Sequence, residues 1–263
     1  GSGNITASGI SNNEEIWSAF HYNSSVPVME PIFHKAITYL SQFQASAYGV
    51  NSKKLDWIPE HSNWYRGMLE KPLAEGIIEF GNTNYELMTS NADTSFVKTL
   101  RDALPEKPLN IKILSPFYNQ SGDLLKKLLE VFDPERIHCI IDPESGSFPR
   151  RMPPNSRIDF FNWTSLQGSK NGKKLHAKAL QFEYVDQTIF LAGSANATTE
   201  AFGTELLQST NAEAIIKITS KKKVDFFSEL GILFPKTALV DLSSLPPTSQ
   251  EKLTIMMLVK AIY

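Results

Sequence analysis

The sequence predicts an α/β protein built on a mixed β-sheet flanked by helices. Two observations predict it. From Leu109 onward, short apolar runs alternate with amphipathic helical patterns, as they do when helices cover a sheet. Within that stretch, residues 175–183 and 188–192 form two strand-like runs joined by a short turn, and an antiparallel hairpin makes the sheet mixed.

The elements follow in order. Residues up to about Asn13 are polar and rich in Gly, Ser and Asn, and are expected to be mobile. Pro31 opens a helical pattern, "PIFHKAITYLSQFQASAYG", with Gly49 placed to end it. The segment "NSKKLDWIPEHSNWYRG" is aromatic and irregular. "EGIIEF" and "YELMTS" are two short strands around a Gly81-Asn82 turn. "DTSFVKTLRDAL" is a helix with Asp93 or Thr94 as its cap. Next come the strand "LNIKILSPFY", the helix "SGDLLKKLLEVF", the strands "RIHCIID" and "SRIDFFNW", and the hairpin. The strand "NAEAIIKIT" and the helix "KKKVDFFSELGIL" complete the regular part. The closing "SQEKLTIMMLVKAIY" has helical spacing without a stop signal, as if cut from a longer protein. The expected division is an N-terminal α+β segment over 1–105, an α/β domain over 106–235 and a C-terminal helical segment over 236–263.

Bulk properties narrow the function classes. The net charge of −2 gives no global basic field, so any anion site must be local. The one cysteine, Cys139, lies in an apolar run, which excludes a disulfide framework and points to a cytoplasmic protein. No apolar run approaches the roughly 20 residues of a membrane span, so no membrane partner is expected. The opening "GSG" has the character of an expression scar and not of a signal peptide.

The chemistry concentrates in "LHAKALQFEYVDQTIFLAGSANAT". Side chains alternate along a strand, so His176 and Lys178 share a face. Ser194 and Asn196 share a side after the second strand, where Gly193 permits close backbone approach. If the hairpin turns near residues 184–187, an imidazole, an ammonium, a hydroxyl and an amide meet at one end. That set suits a tetrahedral anion: lysine supplies a point charge, and serine and asparagine supply neutral donors. Histidine can attack phosphorus or carry a proton near neutral pH.

Taken together, "HAK", the strand-turn-strand spacing, "GSAN" and "TNAEAIIKI" resemble the phospholipase D superfamily, the HKD phosphodiesterases. The resemblance covers about residues 109–220, with "IKILSPFY" and "RIHCIIDP" similar to that fold's opening strands. It implies a nucleophilic His176 that forms a phosphohistidine, with Lys178 gripping phosphate oxygens. Ser194 and Asn196 would complete the phosphate pocket, and Glu213 would be an acid that orients a site group. It implies no metal and no cofactor. The family's aspartate position holds Glu183, with Asp186 following in the turn, so either acid can be the motif's third member. The family also uses two motifs, and only one is present here. "KPLAEGIIEFGNTNYELMTS" can be laid on the hairpin as a decayed half-repeat or as a chance match. The second motif would come from a homodimer partner or from a missing C-terminal half.

Arg150, Arg151, Arg157, Lys170, Lys173 and Lys174 precede the lysine of the motif, interleaved with Phe148, Phe160, Phe161 and Trp163. A basic, aromatic stretch beside a phosphate site predicts a nucleic-acid partner, with Arg150, Arg151, Lys170, Lys173 and Lys174 binding the backbone. The leading expectation is a nuclease module. A phospholipase or phosphatidyltransferase is the alternative, and a non-catalytic half-domain that binds nucleic acid or scaffolds a partner is the third.

Overall fold

A computed structural model describes residues 12–23, 25, 27–46, 55–70, 76–90, 94–105, 107–167, 173–235 and 240–245. Its centre is an eight-stranded mixed sheet in the order β2-β3-β10-β9-β8-β4-β5-β6. The strands are β2 (Ile77–Phe80), β3 (Thr83–Thr89), β4 (Asn110–Leu114), β5 (Arg136–Ile141), β6 (Ile158–Asn162), β8 (Ala179–Glu183), β9 (Thr188–Gly193) and β10 (Ala214–Ser220). β4, β5 and β6 are mutually parallel, and every other pairing is antiparallel. The mixed-sheet expectation holds. A separate two-stranded sheet joins β1 (Asn13–Glu14) to β7 (Lys174–Leu175) in parallel.

The central strands are apolar on both faces because both faces are covered. On one face, Ile111, Ile113, Leu180, Phe182, Leu191 and Ile215 pack with side chains of three helices. These are α4 (Phe96–Ala103), α5 (Asp123–Phe132) and α7 (Thr199–Phe202). Helix α5 buries Leu124, Leu125, Leu128 and Phe132, the spacing of one helical face. On the other face, Leu114, Ile140, Phe161, Phe190 and Ala192 pack with Trp163, Ile16 and Phe227, the last from the one-turn helix α8 (Phe226–Glu229). Helix α1 (Glu30–Ser46) puts Ile32 beside Ile78 and Leu87. Of two short helices, α3 (Asn63–Leu69) packs Tyr65 and Met68 against Ile37, and α2 (Trp57–His61) adds the partly buried Ile58. The last short helix, α6 (Trp163–Gln167), follows β6 directly.

Several expectations need correction. Asn13 belongs to a strand and not to a mobile tail, because the backbone of β7 supplies it with partners. Helix α4 is capped by Ser95, whose Oγ accepts from the Lys98 amide at 3.0 Å, and not by Asp93 or Thr94. The helix expected across "KKKVDFFSELGIL" shrinks to one turn. Asp225 caps it, and Gly231 leaves it at a φ of +76°. Strand β3 pairs with β10 over seven residue pairs and so joins the central sheet. Residues 246–263, which carry most of the expected C-terminal helix, and Gly49 lie outside the described residues, as do Pro72 and Ala74 of the half-repeat.

Candidate active site

Strands β8 and β9 pair with Ala179 opposite Ala192. Residues 176–178 enter the hairpin and residues 193–196 leave it, so both segments lie at the same end of the sheet. That end is also where the parallel strands β4 and β5 finish, the usual location of ligand sites in open α/β sheets.

The strand expected over residues 175–183 is broken at its functional residues. The amides of His176 and Ala177 donate to the Glu14 carbonyl at 3.1 and 2.8 Å, so β1 takes backbone groups that a longer β8 would have offered to β9. The ladder resumes where the Gly193 amide donates to the Lys178 carbonyl at 3.3 Å. Just upstream, the Leu175 amide donates to Asp142 Oδ2 at 3.1 Å. Asp142 is buried directly after β5 and also accepts from the amides of Glu144 and Ser145. The histidine is therefore pinned from two directions.

The "GSAN" turn is held as tightly. A Cβ on Gly193 would come within 2.2 Å of the Ala214 carbonyl, so only glycine fits against β10. The Ser194 amide donates to the Ala214 carbonyl, and the Ala214 amide donates back to Ser194 Oγ, both at 3.0 Å. Ser194 Oγ in turn donates to Glu213. Asn211 Nδ2 donates to the other Glu213 oxygen at 3.2 Å. The Glu213 amide donates to Ser90 Oγ at 2.8 Å, and that hydroxyl lies 3.0 Å from Tyr39 OH. The Oδ1 of Asn196 is buried without a hydrogen-bond partner. An orphaned amide atom marks a place where a ligand or water belongs.

The electrostatic centre is Lys178, which is 4 % exposed. Its ammonium donates to the His176 carbonyl at 2.5 Å. Burial lowers it from the ordinary lysine range to about 8, while the charges of Glu15 and Glu213 act in the opposite direction. Glu15 also reaches His176, with Oε1 2.7 Å from Nδ1 and the carboxylate 3 % exposed. His176, Lys178, Ser194 and Glu213 thus form one coupled group with Glu15, and Asn196 follows on the same turn. Glu15, Asp142, Ser90 and Tyr39 were missed from sequence. Asp142, at the carboxyl end of a strand, is the one that a positional signal marks.

The remaining predicted residues lie elsewhere. Glu183 stands at the far end of β8 from Lys178, 2.6 Å from Lys112 Nζ, and it accepts from Asn110 and Gln181. Lys112 is shared with Asp225 at 2.8 Å. Asp186 is exposed in the β8–β9 turn. Neither acid reaches the histidine, because four extended residues separate Glu183 from Lys178. Glu183→Ala is expected to lower stability by about 1–3 kcal/mol by uncoupling a half-buried ion network. Chemical denaturation measures that loss, and His176-dependent kinetics should not move.

Phe148, Phe160, Phe161 and Trp163 are core residues and cannot stack bases. Arg150 lies over the Phe148 ring, 5.6 Å from its centroid, and Arg151 is exposed. Lys173 and Lys174 are exposed beside β1, with Lys173 Nζ 3.6 Å from Glu14. Lys170 is outside the described residues. A pocket of about 330 Å³ opens at Gly193 and Ser194, walled by Ile16, Phe20, Phe33 and Leu87. Among the described residues, no group of three or more His, Cys, Asp or Glu side chains is placed to hold a metal ion. No helix among them is long and apolar enough to cross a membrane.

No protein-family model matches the chain, and no curated protein matches it. Among solved structures it is similar to Nuc from Salmonella typhimurium, a phospholipase D family member. Identity is 13%, 56% of this chain and 89% of that one are covered, and the TM-score is 0.32. Yeast tyrosyl-DNA phosphodiesterase is similar at 14% identity over 51% of this chain, with a TM-score of 0.31. The matched region spans 31% of the yeast enzyme's length.

Proposed function

We propose that the chain is a phosphodiesterase that acts on nucleic acid through a phosphohistidine at His176. The observation that carries the reading is a buried ammonium, Lys178, held against the backbone of a histidine whose Nδ1 lies 2.7 Å from a Glu15 carboxylate oxygen. A buried cation next to a nucleophile, a serine hydroxyl and an orphaned asparagine amide is a site for a transferring phosphoryl group. His176 Nε2 attacks phosphorus, a P–N bond forms and the P–O bond to the leaving group breaks. The leaving oxygen takes a proton from a second histidine. Water then attacks the phosphohistidine and gives a proton to the second histidine; a P–O bond forms and the P–N bond breaks. Lys178 supplies positive charge that a metal supplies in other phosphodiesterases.

Among the described residues the site holds one histidine, so the general acid comes from a second copy of the chain or from a second motif C-terminal to this one. Exposed Lys173 and Lys174, close in sequence to His176, support a polyanionic substrate. The apolar pocket at Ser194 favours a second reading, a phospholipase whose substrate carries an apolar group.

A concentration series of the full chain, assayed in excess chelator on single-stranded DNA, RNA, a phosphatidylcholine vesicle and bis(p-nitrophenyl) phosphate, tests both. Expected are turnover in chelator, specific activity that rises with chain concentration, and preference for nucleic acid. Loss on chelation, restored by a divalent ion, overturns the mechanism. Preference for the vesicle moves the assignment to the second reading.

A further inference from the structure

We propose that the cleft between residues 20–23, helix α1 and helix α3 stacks one unpaired nucleobase of a strand whose phosphate lies at the His176 site. The proposal deepens the nucleic-acid reading and rests on it for the substrate class. The rings beside the motif, Phe148, Phe160, Phe161 and Trp163, are core residues, so a stacking surface must come from another part of the chain. The aromatic segment "NSKKLDWIPEHSNWYRG" supplies it through Trp64.

An open cleft of about 620 Å³ is lined by Phe20, His21, Tyr22, Asn23, Phe33 and Trp64. Phe20 and Phe33 also wall the pocket that opens at Gly193 and Ser194, so the two spaces adjoin and the cleft continues from the phosphate site. Tyr65, the next residue, is 3 % exposed, the result when a ring serves packing alone. Trp64 is 40 % exposed. A large ring left open beside a reactive site is a recognition surface.

The arrangement of the rings decides what fits. A cage for an organic cation holds its rings apart, with their faces turned to one point. Here the rings touch. Tyr22 and Trp64 lie 4.8 Å apart between centroids at an interplanar angle of 32°, and Phe33 meets Trp64 edge-on at 6.0 Å. Rings in mutual contact leave outer faces, and an outer face takes another flat ring. An acyl chain calls for an apolar trough, whereas His21 and Asn23 bring hydrogen-bonding groups that suit the edge of a base. None of the six lining residues is acidic, so the lining itself repels no phosphate. Arg66 donates through Nε and Nη2 to the Pro59 carbonyl at 3.1 and 2.9 Å, which ties α3 to α2 and places Trp64 before a ligand arrives.

The test measures binding by the full chain carrying His176→Asn, which prevents cleavage during titration. The probes are a labelled oligothymidine and an abasic oligomer of the same length, followed by fluorescence anisotropy. The strand with bases should bind about tenfold tighter than the abasic one. Trp64→Leu should remove most of that preference. It should leave abasic binding and the salt dependence unchanged, since no phosphate contact is lost. Trp64→Phe, which keeps a flat ring, should retain most of the preference. An equal loss on both strands, no preference in the parent, or an undiminished preference in Trp64→Leu overturns the proposal and leaves the nucleic-acid reading standing. If the parent binds neither strand, the nucleic-acid reading fails and the proposal with it. Binding to a phosphatidylcholine vesicle that Trp64→Leu abolishes then gives the cleft to a lipid.

Discussion

His176→Ala is expected to abolish phosphodiester turnover, with a loss of at least about a thousandfold in any assembly that is active. The imidazole is the nucleophile of the proposed reaction, and nothing beside it can replace it. Lys178 is committed to the His176 carbonyl, and Ser194 to Glu213. The substitution also exposes the buried Glu15 carboxylate to a void, so a fall in stability accompanies the kinetic loss. His176→Asn keeps a polar group there and separates the two effects: it should recover stability and remain inactive. Acid-labile phosphate on the wild-type chain, trapped during turnover and located by mass spectrometry at His176, would confirm the intermediate. Wild-type activity in His176→Ala would sink the mechanism.

How much of this site could be read in advance depends on the range of the interaction. Strands β8 and β9 and the glycine turn that follows them were legible because alternation and turn residues are local signals. The mixed sheet was legible for the same reason, since β4, β5, β6, β8, β9 and β10 are each largely apolar runs. The break at residues 176–178 was not. It exists because β1, more than 150 residues upstream, captures two amides that local pattern assigns to a continuous strand. The same long-range pairing brings Glu15 to the histidine. A polar N-terminal stretch carries no periodic signal from which such a pairing could be inferred.

Glu183 shows the opposite error. Its sequence distance from Lys178 places it at the acidic position of a motif, yet five extended residues carry it to the far end of β8, where it neutralises Lys112. The interleaved aromatics were misleading for a related reason. Phe160 and Phe161 alternate on a buried strand, and both faces of that strand are covered, so neither ring is available to a ligand.

Lys178→Met is expected to make the protein more stable and nearly inactive at once. The ammonium is 4 % exposed, and burial holds it at about 8 against an ordinary 10.5, so the folded state binds its proton less tightly than the unfolded chain does. Each unit of such a difference is worth about 1.4 kcal/mol, which makes the buried charge a penalty on the order of a few kcal/mol at neutral pH. Methionine fills a similar volume without the charge, and a gain of about 1–2 kcal/mol should remain after Glu15 and Glu213 lose a cation. The pH dependence fixes the sign. Below about 8 both states hold the proton and the penalty is constant. Between about 8 and 10.5 the unfolded chain still binds the proton while the folded protein releases it, so wild-type stability rises with pH through that window. Lys178→Met should lack the rise. In the same window the phosphate-gripping charge disappears from the free enzyme, so wild-type kcat/KM should fall as pH climbs past about 8. Denaturant unfolding at pH 7 and pH 10, run on both proteins beside a turnover profile, decides the matter. A variant less stable than wild type at pH 7 would remove the stored penalty from the account. Undiminished turnover in Lys178→Met would remove the lysine from the phosphate site.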